Sequence, residues 1–171
     1  MKSLITIGAI CLCAASATAQ TVNDAQIASI VVTANQVDID AGTLAAASSS
    51  NAEVKKFAQL MVTDHTGVNK QAVDLATRLN VTPQDNDTSK SLKAGGEKNV
   101  ANLKSLQGPA FDKAYVDHEV TYHQSVIDAL DKTLIPSASN AELKALLVKV
   151  RPAFVAHLEH AKHLQASLGK K

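Results

Sequence analysis

The chain has 171 residues and 46% apolar content, enough for one ordinary domain whose core is mainly Ala, Val and Leu, because aromatics are only 3% and tryptophan is absent. Seventeen basic residues against sixteen acidic ones leave a net charge of +1, which argues against nucleic acid or an anionic membrane as the main partner. Both cysteines, Cys11 and Cys13, lie near the N-terminus, so the rest of the chain can form no disulfide, thiolate metal site or cysteine nucleophile.

Residues 1–19 read as a secretory signal. Lys2 supplies the positive start, Leu4 to Ala15 the apolar run, and Ala17-Thr18-Ala19 the small-residue cleavage pattern. The run is too short to cross a bilayer as a helix, and no later stretch is long and apolar enough to do so. Neither cysteine follows a convincing lipobox. Cleavage after Ala19 leaves residues 20–171 as a single domain without a transmembrane segment, expected in the periplasm or secreted. Losing Lys2 leaves 16 basic residues against 16 acidic, a net charge near zero.

The spacing predicts four long helices and one shorter one. The first runs from about Asn23 to Ser48, with Asn23 or Asp24 as its N-cap. Asn51 caps the second, which runs to about Asn80. A polar loop around Pro83 precedes a weaker helix from about Thr88 to Leu106, where Gly95-Gly96 predicts a kink or two pieces. Pro109 suits the first turn of the next helix, which runs to about Thr133. A loop around Pro136 leads to the last helix, about Asn140 to Ser167, with Pro152 inside it as a bend. Two helical hairpins joined by one long crossover predict an all-α, ferritin-like four-helix bundle with an additional short crossover helix.

Apolar positions at alternating steps of four and three trace one seam per long helix. The second helix gives Val54, Ala58, Met61, His65, Val68, Ala72 and Leu75. The fourth gives Val116, Val120, His123, Ile127 and Leu130; the last gives Leu147, Val150, Phe154, His157, Ala161 and Leu164. Each seam is broken near its middle by one imidazole, and the first helix breaks its own with Asp38. A buried polar group is costly unless satisfied, so four mid-seam polar side chains suggest a shared layer. Asp38, His65, His123 and His157 make a reasonable shell for zinc, iron, manganese or copper.

Asp64 is expected either to ligate or to accept a hydrogen bond from a histidine ring. Glu119, one turn before His123, reads as a solvated charge. His157, His160 and His163 drift around their helix, so they cannot share one site, and the last two read as surface residues. Tyr115 and Tyr122 read as packing residues. No Glu-x-x-His occurs, which disfavours a standard di-iron carboxylate site. Glycine-rich phosphate loops and His-Glu-x-x-His are also absent, and nothing in the spacing marks a Ser-His-Asp triad.

Several segments resemble a bacterial envelope family of unknown function, number four-one-four-two, often labelled "predicted outer membrane protein". They are Asp38 to Ala45, Val54 to His65, Phe111 to Asp117, His123-Gln124, and His157-Leu158 with Ala161 and Leu164. The resemblance covers about Asp24 to Leu168. It implies a ferritin-like helical bundle and export, with family motifs on Asp64, His65, His123 and His157. At Asp38 the family pattern usually has Glu, one methylene longer. The label implies outer-membrane association, but nothing here alternates with a strand period over membrane-spanning lengths.

The sequence thus favours an exported bundle binding a divalent metal, acting in metal handling or envelope stress protection. The alternatives are a metal-free structural or interaction protein of the envelope and a redox enzyme using the same site. A homo-oligomer and an envelope-protein partner are both compatible with these readings. Intact-mass analysis of the exported protein should give a chain beginning at Gln20; a mass that retains Cys11 and Cys13 would refute the cleavage reading.

Overall fold

The computed structural model describes residues 22–170, which fold into five helices. They are α1 (Asp24–Ser48), α2 (Ala52–Arg78), α3 (Asp87–Lys104), α4 (Gly108–Ala129) and α5 (Ala141–Leu168). Among the described residues there is no strand. Four of the helices start on an asparagine, Asn23, Asn51, Asn86 or Asn140, whose side chain accepts from the backbone amides of the first turn. Those amides have no partner inside the helix, so each cap fixes where its helix starts. At α4 Pro109 does this work without a side-chain cap, since proline needs no partner for a missing N–H.

Helices α1 and α2 form one hairpin and α4 and α5 the other, while the crossover helix α3 packs mainly along α1. This is the expected arrangement. The α1 start is tied to the α5 start through Asp24, whose carboxylate accepts from Ser139 N (2.9 Å), Ser139 Oγ (2.6 Å) and Asn140 N (3.0 Å). Ser29 donates to Asp85 at 2.8 Å and holds the crossover loop against α1.

Two local expectations are corrected. Gly95-Gly96 neither breaks nor divides α3, which is continuous. A Cβ on Gly96 would lie 2.6 Å from Val37 Cγ2, so this glycine lets α3 approach α1 closely. The loop expected around Pro136 is helical instead. After Ala129 the chain widens into a π-helical turn, Leu130–Leu134, then closes with Ile135–Ser137. Ile135 N–H bonds to Leu130 C=O, five residues back. That wider turn accommodates a proline, which has no N–H to give and would crowd the carbonyl of a regular turn.

The core falls into two apolar clusters. One contains Ile27, Val68, Leu130, Leu147 and Phe154; the other contains Ala45, Phe57, Met61, Tyr115 and Ala161. Between them every helix of the two hairpins places a buried polar residue on its inner face: Asp38, His65, His123 and His157.

The two glycines of α3 should respond oppositely to alanine. Gly95 has open space around an added Cβ, so Gly95→Ala should stabilise the fold by up to about 1 kcal/mol through helix propensity. Gly96→Ala should destabilise it through the Val37 clash. Urea unfolding of both variants checks this, and equal effects would contradict it.

Candidate metal centre

The three seam histidines come together in the bundle interior. Ring centroids are 5.6 Å apart for His65–His123, 5.3 Å for His65–His157 and 5.4 Å for His123–His157. One nitrogen from each ring lies within 4.8 Å of the other two, and all three residues are buried. Phe154 stacks on His65, with centroids 5.2 Å apart and planes 3° from parallel. This contact fixes the ring from the apolar side.

Each ring has one nitrogen already occupied by an acceptor. His65 Nδ1 lies 2.7 Å from Asn35 Oδ1, and the Asn35 amide donates to Val31 O at 2.8 Å, which sets its orientation. His123 Nδ1 lies 3.1 Å from the Glu119 carbonyl oxygen. His157 Nε2 lies 2.9 Å from Asp64 Oδ2. These acceptors assign the ring proton to that nitrogen in each neutral imidazole. The opposite nitrogens, His65 Nε2, His123 Nε2 and His157 Nδ1, are buried with no hydrogen-bond partner. The result is three unshared lone pairs in one polar layer.

Carboxyl groups complete the layer. Asp38 Oδ2 sits 3.2 Å from His65 Nε2 and 3.7 Å from His123 Nε2. Glu119 Oε2 lies 3.4 Å from His123 Nδ1. Oxygens of Asp38 and Glu119 and a nitrogen of His123 also lie within 4.8 Å of one another. Burial and the neighbouring Glu119 push Asp38 well above the usual carboxylate range, and burial pushes Glu119 up to about 7. Two desolvated carboxyl groups this close keep a proton near neutrality. Burial, with His123 and His157 nearby, pulls His65 down to about 2, so that ring stays neutral. His157 is lowered by burial, an effect that Asp64 opposes.

Asp64 stands at the rim, its side chain 39% exposed, and holds His157 from outside the layer. This is the hydrogen bond to a histidine ring that was one of its two expected roles. The reading of Glu119 as a solvated charge is corrected: it is 0% exposed, because position 119 shares the inner face with His123 one turn later. Asn35 was not singled out by the seam pattern. Its only signal is a place one turn before Asp38 on the same face. His160, expected at the surface, is half-buried against Phe57, with ring centroids 4.9 Å apart, and His163 is exposed. Tyr115 is fully buried, and Tyr122 donates to Ala34 O at 2.9 Å.

A family model described as "Domain of unknown function (DUF4142)" matches residues 11–164, and the chain belongs to that family. No curated protein and no solved structure matches the chain. The family description carries no activity, so the chemistry has to be read from the side chains. Among the described residues the buried His, Asp and Glu groups form two sets that could hold a metal ion.

The Glu119 carboxyl yields a signed prediction for protein kept in chelator. Its value rises from 4.5 to about 7 on folding. The cost of burying its charge is therefore absent below pH 4.5, grows as pH rises, and is complete above 7, on the order of 3 kcal/mol. Glu119→Gln should be more stable than the parent above pH 7, with the gap closing towards pH 4.5. Urea midpoints across that range check this; a gap that is constant or widens in acid would contradict it.

Proposed function

We propose that the chain is an exported bundle that holds one divalent metal ion in its core through His65, His123 and His157, with Asp38 supplying negative charge. Asp64 orients His157 from the rim. The observation that carries this is the set of three inward lone pairs, each on a ring whose N–H is anchored outward. Lone pairs facing one another and a carboxyl group repel unless a cation or a proton lies among them. The anchored N–H pattern also matches how ligating histidines are oriented in metal sites. Three imidazoles and a carboxylate suit zinc, iron, manganese or copper, and favour none of them decisively. Binding of this kind serves metal handling or protection of the envelope under stress. Export rests on the signal read at residues 1–19, which lie outside the described residues. Among the described residues no helix is long and apolar enough to cross a membrane.

A second reading has one observation in its favour. Because Asp38 is raised well above the usual carboxylate range, a protonated Asp38 could donate to a ring nitrogen and satisfy part of the layer without metal. The protein would then be a structural or interaction component of the envelope.

Thermal unfolding with zinc, copper, manganese and iron, each against chelator, separates the two. A ligand that binds only the folded state stabilises it by about 2.7 kcal/mol at a hundred times its dissociation constant. At least one metal should raise the melting temperature, with the rise growing with the logarithm of free metal. His123→Ala should abolish the rise and His163→Ala should keep it. If no metal shifts the transition, or if the two variants behave the other way round, the metal reading is wrong.

A further inference from the structure

A cavity of about 410 Å³ lies beside the polar layer, walled by α1, α3, α4 and α5 and lined by residues such as Ile30, Leu92, Val126, Leu130, Leu147 and Phe154. Its polar groups are unevenly placed. Asn35, Asp38, His65, His118, Tyr122 and His123 reach its surface, whereas His157 and Glu119 are not among its lining residues. Thr88, Ser91 and Gly95 of α3 and Ser125 of α4 line it and are exposed, so it opens between those two helices. The cavity thus runs from an exposed rim, along apolar walls, to Asp38 and to three of the four unpartnered imidazole nitrogens, those of His65 and His123 in the polar layer and that of His118 beside it.

We propose that this cavity seats an aliphatic monocarboxylate whose chain lies against the apolar walls and whose carboxylate completes the coordination of the bound metal. The proposal rests on the metal reading above. Size sets the chain. A cavity of ~150 Å³ lined by apolar side chains takes up benzene, so this one holds a chain of about ten carbons with its head group. Charge sets the head. A divalent ion held by three neutral imidazoles and one carboxylate keeps net positive charge, which favours an anion and disfavours an ammonium. Without the ion the same carboxylate head would face the Asp38 carboxyl group and the unshared lone pairs of His65 and His123, so its binding should require metal.

Calorimetric titration tests this, with decanoate and acetate as probes, zinc-loaded and chelated protein as hosts, and zinc-dependent melting run in parallel. Decanoate should bind the zinc-loaded protein at least about tenfold more tightly than acetate, since each buried methylene adds affinity, and should not bind the chelated protein. Two variants fill the cavity away from the ligands: Val126→Trp in the wall and Ser91→Trp at the exposed rim. A folded variant should keep the zinc-induced rise in melting temperature and lose the preference for decanoate. If zinc raises the melting temperature but decanoate binds no better than acetate, the cavity proposal fails and the metal reading stands. Equal decanoate affinity with and without zinc, or full preference in both folded variants, also overturns it. If neither zinc nor the other metals raise the melting temperature, both readings fail together.

Discussion

Three imidazole N–H groups are each committed to an acceptor outside the ring cluster, and that commitment determines what the bundle interior can do. Asn35, the Glu119 carbonyl and Asp64 take the protons of His65, His123 and His157. The opposite nitrogens are left buried without a partner, those of His65 and His123 beside Asp38. A protein core normally satisfies every buried polar atom. Here the polar layer holds several unsatisfied atoms together, and the three ring nitrogens among them share one property: each is an acceptor. Acceptors gathered in this way call for a cation or a proton.

The fold holds that layer by dividing the core. Apolar clusters on either side pack the bundle, so the polar layer is fixed by its neighbours more than by its own contacts. Phe154 belongs to one cluster and lies flat on His65. The close approach of α1 and α3 at Gly96 keeps the crossover helix against α1, beside Asn35 and Asp38. The rim between α3 and α4 stays open, which gives the layer a route to solvent through an apolar cavity. One arrangement therefore provides both a set of ligands and an approach to them.

Much of this was legible in the sequence. The seams of α2, α4 and α5 named the three histidines, because a side chain at a buried heptad-like position faces the core whatever its chemistry. Asn23 and Asn51, legible as caps, placed the starts of the first two helices. What stayed hidden depended on pairs of helices. Glu119 looked solvated although it shares an inner face with His123 one turn later; the Asp38 carboxyl that it meets lies on another helix. Asn35 escaped notice since its partner, His65, is on another helix. Gly95-Gly96 read as a kink or a division because propensity is a property of one segment, whereas the role of Gly96 is a close approach to Val37. Pro136 read as a loop because a π-helical turn leaves no periodic mark.

X-ray absorption at the zinc edge tests the central claim most directly, using untagged protein loaded with one equivalent of zinc and desalted. The account predicts a first shell containing three imidazole nitrogens at about 2.0–2.1 Å, with the remaining ligands oxygen, and the same spectrum from His163→Ala. A spectrum of oxygen ligands without imidazole scattering, or zinc that does not stay with the protein, would contradict it.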